Sequence, residues 1–236
     1  MNKKGKIVTI KNNKGGVGKT FFTAQIGAGL ASAGKKVLII TSDSQNNIFN
    51  YLYKGNKEFE RGLKAEVSHG NGEYFRIMDN LYFLPLETET FGNQFLIKLP
   101  IFLKNLKNKY DYILIDSTPV IKMDNIFLEC TDHIIVPAYC DEVTIEGIIK
   151  LMNEVDSKKI LAVVVNRYKD TEVQKEYLKQ LQNIFKSYDI VFPEPVKQLS
   201  FIEKMLNNKK TIWEYTNKDA EKIQSTILEI MFKLEV

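Results

Sequence analysis

The sequence predicts an α/β fold, a doubly wound and mostly parallel sheet with helices on both faces. Three observations carry that reading. Short apolar runs at 7–10, 36–40, 112–116, 132–137 and 159–166 alternate with longer segments whose apolar residues recur at helical spacing. A glycine-rich stretch, 11–20, joins the first run to the first helical segment. Several runs end in polar or acidic residues, at the strand ends where open α/β sheets collect ligand-binding groups.

The 236 residues fit one large domain over 1–236, and 44% apolar residues suffice for a core. Thirty-three basic against 29 acidic side chains give a net charge of +4, too mild by itself to indicate nucleic acid. Cys130 and Cys140 form no C-x-x-C pair and no zinc spacing, so they read as free thiols of a reducing cytosol. The basic start, residues 1–6, is followed by no long apolar leader segment. No run approaches the ~18 apolar residues of a membrane span.

The run 7–10 reads as a buried strand and 21–33 as a helix, with Lys11 to Thr20 between them. Strand, glycine-rich turn and helix are the context of a phosphate-binding loop. Glycines let backbone N–H groups turn around an anion, and the helix N-terminus adds unpaired donors and its dipole. Lys19 supplies a point charge for the β- and γ-phosphates, and the Thr20 hydroxyl is placed to ligate Mg²⁺. The general pattern has Gly where Asn13 stands, and Asn is the residue that best tolerates a left-handed backbone in its place. Lys14 is a second lysine. It is either a solvated surface side chain or a charge aimed outside its own subunit.

Lys14-Gly15-Gly16-Val17-Gly18-Lys19-Thr20 resembles the deviant Walker A motif of the ParA/MinD ATPases, and the resemblance extends over nearly the whole chain. It implies a phosphate-loop ATPase in which residues 14–20 bind ATP and Lys14 reaches the partner's ATP across a nucleotide-sandwich homodimer. Phe21 stands where many relatives carry a second Thr near the α-phosphate.

After the strand 36–40 comes Thr41-Ser42-Asp43-Ser44-Gln45, where the family carries Asp-x-Asp-Pro-Gln. Asp43 and Gln45 match, while Thr41 and Ser44 replace Asp and Pro. The resemblance gives Asp43 the attacking water. The residues alone also allow Asp43 to cap a helix over 45–53, and both roles could hold. Residues 53–72 are polar and glycine-punctuated and read as a loop or short irregular helix. Strand-like runs at 74–77 and 81–86 follow. Apolar spacing over 91–109 predicts a helix, with a kink or break at Pro100. The run 112–116 ends in Asp116, the Walker B form, whose carboxylate would hold the Mg²⁺ shell through water; otherwise it is a strand-end turn residue. Ser117-Thr118-Pro119 follows where the family has Thr-Pro-Pro.

The strand 132–137 leads into Tyr139 to Gly147, similar to the family's approach to an interface helix. The strand 159–166 ends in Asn166, and by resemblance Asn166 contacts adenine. Residues 173–188 read as an amphipathic helix, and 190–193 as a last strand whose Pro193 resembles the family's backbone contact to the base. Short and long helices are expected over 199–206 and 218–236. Trp213 reads as packed, and His69 and His133 as structural.

Three roles are compatible with this pattern. The resemblance is strongest to ParA/Soj-type partition ATPases, which implies an ATP dimer that binds DNA without sequence preference. A ParB-like centromere-binding protein then stimulates slow Mg²⁺-dependent hydrolysis, in a cytoplasmic, nucleoid-associated setting. A MinD-like membrane cycler would end in a lysine-rich amphipathic tail, and Glu229 and Glu235 argue against one, as against any stable membrane insertion. The third role is a ligase of the same superfamily, against which Lys14 argues modestly. The larger members' N-terminal DNA-reading extension is not expected ahead of a first strand that begins at residue 7. The DNA-binding candidates are Lys197, Lys204, Lys209 and Lys210, which share their segment with one acid, Glu203; the other reading is a solvated face.

Overall fold

The computed structural model describes residues 4–118 and 121–235. Seven strands form one sheet in the order β3-β4-β2-β5-β1-β6-β7. They are β1 (Lys6–Ile10), β2 (Val37–Thr41), β3 (Phe75–Met78), β4 (Leu81–Leu84), β5 (Tyr112–Asp116), β6 (His133–Ala138) and β7 (Ile160–Val165). All neighbours pair in parallel except the edge hairpin β3–β4. The helices are α1 (Lys19–Ser32), α2 (Asn47–Leu52), α3 (Leu63–His69), α4 (Asn93–Leu106), α5 (Ile121–Cys130), α6 (Glu142–Glu154), α7 (Glu172–Phe185), α8 (Ser200–Asn207) and α9 (Lys218–Glu235).

Strand side chains alternate between two cores, which is why the apolar runs are nearly continuous. Val8, Ile10, Ile39 and Leu114 point to a core shared with α1, α2, α8 and α9. Ile7, Leu38, Ile40 and Ile113 point the other way, toward α3, α4 and α5. Beyond them Ile134, Val136, Val163 and Val165 meet α6 and α7. Helix α1 is buried on almost every side. Its Gly29 admits the Trp213 ring and the Met231 sulfur, which a Cβ would displace. Trp213 Nε1 donates to Gln25 O at 2.8 Å, so this indole is packed, as its sequence context implied.

Four local expectations are corrected. Helix α4 runs unbroken through Pro100. Forfeiting one hydrogen bond there costs about 3 kcal/mol. Phe95, Leu99, Leu103 and Leu106 are all buried by the same helix, at roughly 1.5–3 kcal/mol each, and that outweighs the loss. The segment 53–72 contains a regular helix, α3, ended by Gly70 at φ 71. Residues 190–193 form no strand. Val191 alone bridges to β7, exchanging bonds with Leu161 and Val163, and Pro193 has no N–H to continue the ladder. Helix α2 starts at Asn47 with Asn46, at φ 48, in the cap position, so Asp43 is not the cap.

Register places the site. Ile10 pairs with Asp116, and Asp116 also pairs with Thr41. The carboxyl ends of β1, β2 and β5 are therefore level, and the segments leaving them converge.

Candidate nucleotide site

The loop between β1 and α1 turns on two glycines in the left-handed region, Gly16 at φ 75 and Gly18 at φ 104. At Gly18 a side chain is excluded twice, by φ and because a Cβ would overlap the Asn166 amide nitrogen. Gly18 occupies the cap position of α1 with no side-chain cap bond, so the first amides of the helix remain available to an anion. Lys19 is buried, and its Nζ donates back across the loop to Asn12 O at 3.0 Å and Lys14 O at 3.1 Å. Burial lowers its pKa, and the Asp116 charge works against that shift.

Asp116 lies beneath the loop, 3% exposed. Burial pushes its carboxyl up to about 7, although the bonded Thr20 hydroxyl and nearby Lys19 favour the ionised form. A bound cation would reverse that burial effect. Among the described residues no group of three or more His, Cys, Asp or Glu forms a metal cage. The Thr20 hydroxyl and the Asp116 carboxylate are hard oxygen donors, a pair that suits Mg²⁺, which takes its remaining ligands from water and phosphate.

A cavity of ≈ 450 Å³ opens in front of the loop. Gly15, Gly16, Gly18, Lys19, Thr20 and Asp43 line its polar end. Asn166, Arg167, Leu199, Ile202 and Leu206 line the other, with Phe21 and Tyr51 also on the wall. A glycine-rich, lysine-bearing end continuous with a mixed polar and apolar end is a shape that suits a nucleotide.

Residues 5–163 match the family model described as an AAA domain. The chain belongs to the ParA/MinD family of ATPases. It is 30% identical to the sporulation initiation inhibitor protein Soj of Bacillus subtilis, over 64% of this chain and 65% of that one, just under two thirds of the relative's length. A putative plasmid partition protein of Borrelia burgdorferi bound to AMPPNP shares 26% identity over 98% of this chain and 100% of that one, with a TM-score of 0.76. The MinD cell division protein of Aquifex aeolicus shares the fold at 24% identity and a TM-score of 0.74, over 96% of each chain.

Within this ParA/MinD frame the candidates separate. Gly15, Gly16, Gly18, Lys19, Thr20, Phe21, Asp43 and Asn166 come together around the cavity. Val17 is fully buried and supports the loop from below. Its carbonyl accepts from the Asn166 amide at 2.9 Å, which ties the loop to the end of β7. Pro193 is buried and does not line the cavity. Lys14 turns away from it, with Nζ 2.5 Å from Asp141 and 5.3 Å from the Tyr139 ring centre. The four lysine candidates for DNA differ in setting. Lys204 is exposed, Lys197 lies 3.8 Å from Asp170, Lys210 sits over the Tyr215 ring at 5.5 Å, and Lys209 is half-buried at φ 51. Glu203 lines the nucleotide cavity itself. Pro119 lies outside the described residues, as does the last residue of the 218–236 helix.

Sequence reasoning missed two features. Tyr51 reaches the cavity one helical turn after Asn47, a spacing visible only once α2 is known to begin at 47. Lys11 is buried and bonded to Asp124, whose other oxygen accepts from Ser117 Oγ at 2.6 Å. This pair braces the loop against the residue after Asp116, and no local pattern announces a pairing across so many residues.

Proposed function

We propose that the chain is a ParA-type DNA-partition ATPase that closes into an ATP-dependent sandwich dimer. The carrying observation is the division of labour between the two loop lysines. Lys19 is buried behind the cavity, whereas Lys14 stands on the same loop with its ammonium outside it. One charge serves the nucleotide of its own subunit, and the other, held by Asp141 outside the cavity, would turn from that carboxylate to a partner's nucleotide.

In this reading the loop amides and Lys19 hold the β- and γ-phosphates, and Asn166 with the apolar wall holds the base. Asp43 orients the water for in-line attack, and Lys14 of a second copy adds positive charge where the leaving phosphates develop negative charge. Mg²⁺, held by Thr20 and by Asp116 through water, would neutralise phosphate charge when bound. Rate enhancement then comes chiefly from positioning and electrostatics.

Partition is favoured over membrane cycling by two findings. The relative from Borrelia is described as a plasmid partition protein. The apolar face of α9 is spent on the core through Ile227, Ile230, Met231 and Leu234, leaving Leu228 and Phe232 outward. Among the described residues no helix is long and apolar enough to cross a membrane. The proposal includes non-specific DNA binding by the dimer, a centromere-binding partner of the ParB kind and a nucleoid-associated location. Lys14→Ala tests the dimer directly. It should bind ATP as the wild type does while light scattering shows no ATP-induced dimer. A variant that dimerises and turns over normally would make Lys14 an ordinary surface residue.

A further inference from the structure

The turn that carries Asp43 is held from outside itself. Asn46 N donates to Asp43 O at 3.0 Å and closes a β-turn over 43–46. Neither Ser44 nor Gln45 takes a positive φ, so the turn is of the type I class. Its second position, Ser44, is where proline is favoured and where this family's motif carries one. Proline would fix that φ; serine leaves it free. Asp43 Oδ1 accepts from Gln45 N at 2.9 Å, and Asp43 N donates to Thr41 Oγ1 at 3.0 Å, so the carboxylate's direction follows the turn.

The segment leaving β4 grips this turn at both ends. Buried Asn46 exchanges bonds with Leu86, Nδ2 to O at 2.9 Å and N to Oδ1 at 2.8 Å. Glu89 Oε1 accepts from Ser44 Oγ at 2.8 Å and from Ser44 N at 3.3 Å. The grip is itself anchored, because Glu87 between these residues accepts the Lys64 and Ala65 amides at 3.0 and 2.7 Å, at the start of α3.

We propose that Glu89 is a positioning residue for hydrolysis: through Ser44 it fixes the turn that aims Asp43 into the cavity, replacing the restraint proline would supply. Ser44 holds the turn position that suits a proline, and the two bonds a proline would remove there, from its N–H and its hydroxyl, both go to Glu89. The proposal rests on the reading that Asp43 places the attacking water.

The test uses the full chain, with phosphate release and ATP affinity measured separately. Glu89→Ala should lower kcat about three- to tenfold, the size of one hydrogen bond's net contribution, with ATP affinity unchanged. Glu89→Gln keeps an acceptor oxygen and should stay within about twofold of wild type. Ser44→Pro added to Glu89→Ala should restore kcat, because the ring sets the φ that the tether had held. Hydrogen exchange of the Ser44 amide in the nucleotide-free protein should quicken in Glu89→Ala and not in Glu89→Gln. Wild-type kcat and exchange in Glu89→Ala would overturn the proposal. So would an equal loss in both Glu89 variants that Ser44→Pro leaves unrepaired, since that would trace to charge rather than to the tether. Asp43→Ala in the same assay reports on the underlying reading. If it turns over like wild type, the water-placing role is lost, while the exchange result still decides whether Glu89 holds the turn.

Discussion

Lys14 Nζ and Asp141 Oδ2 lie 2.5 Å apart, and the other oxygen of Asp141 accepts from Thr144 N at 2.8 Å at the start of α6. One carboxylate thus caps a helix and holds the charge of the phosphate loop's outer lysine. Both side chains are about a third exposed, so solvent screens the pair.

This pair has a pH signature. Burial alone would raise the Asp141 pKa, but the bonds from Lys14 and Thr144 outweigh it and hold the carboxyl below its ordinary value. A depressed folded-state pKa contributes stability above the unfolded value of about 3.9, and that stability is lost as pH falls through the folded value. Asp141→Ala should therefore cost about 1 kcal/mol at pH 7, mostly the lost helix cap, and progressively less in acid. Thermal melts of both proteins across pH 2.5 to 7 would check it. A cost that is constant across that range would separate the stabilisation from the carboxylate's charge.

Lys19→Ala should abolish measurable ATP binding. The lysine contributes charge-assisted bonds of roughly 1.5–3 kcal/mol each, so losing even one lowers affinity about tenfold or more. Titration calorimetry would show it, and undiminished affinity would remove the phosphate-loop assignment.

Gly18→Ala should be the most damaging single methyl in the loop. It must sit at φ 104, and it overlaps the Asn166 amide that binds Val17 O. A large fall in melting temperature together with loss of nucleotide binding is expected. By contrast Gly15, with open space around its Cβ position, should accept alanine with a smaller loss of stability.

Which parts were legible in the sequence follows from how local their causes are. The loop 11–20 and the Walker B strand 112–116 are read directly, because glycine positions and a closed apolar run ending in Asp116 specify themselves. The strand order, with β5 between β1 and β2, brings Asp43, Asp116 and Lys19 together and is not specified by any local pattern. The remaining differences come from the balance of competing effects or from distant partners. Pro100 sits within a helix whose four buried side chains outweigh the lost hydrogen bond. The strand 190–193 fails because one proline ends a ladder that Val191 had begun. The direction of Lys14 was hidden because its partner, Asp141, belongs to a distant helix.

A filter assay on random-sequence duplex tests whether an ATP-dependent dimer of this chain binds DNA. With ATP, binding should be independent of sequence. Its log affinity should fall linearly with log salt, at roughly 0.9 per phosphate contact. Lys209→Glu with Lys210→Glu should weaken it without disturbing ATP-dependent dimerisation. An ATP-bound dimer that ignores DNA at low salt, yet binds anionic vesicles when ATP is present, would contradict the claim and give the chain to the membrane-cycling branch of its family.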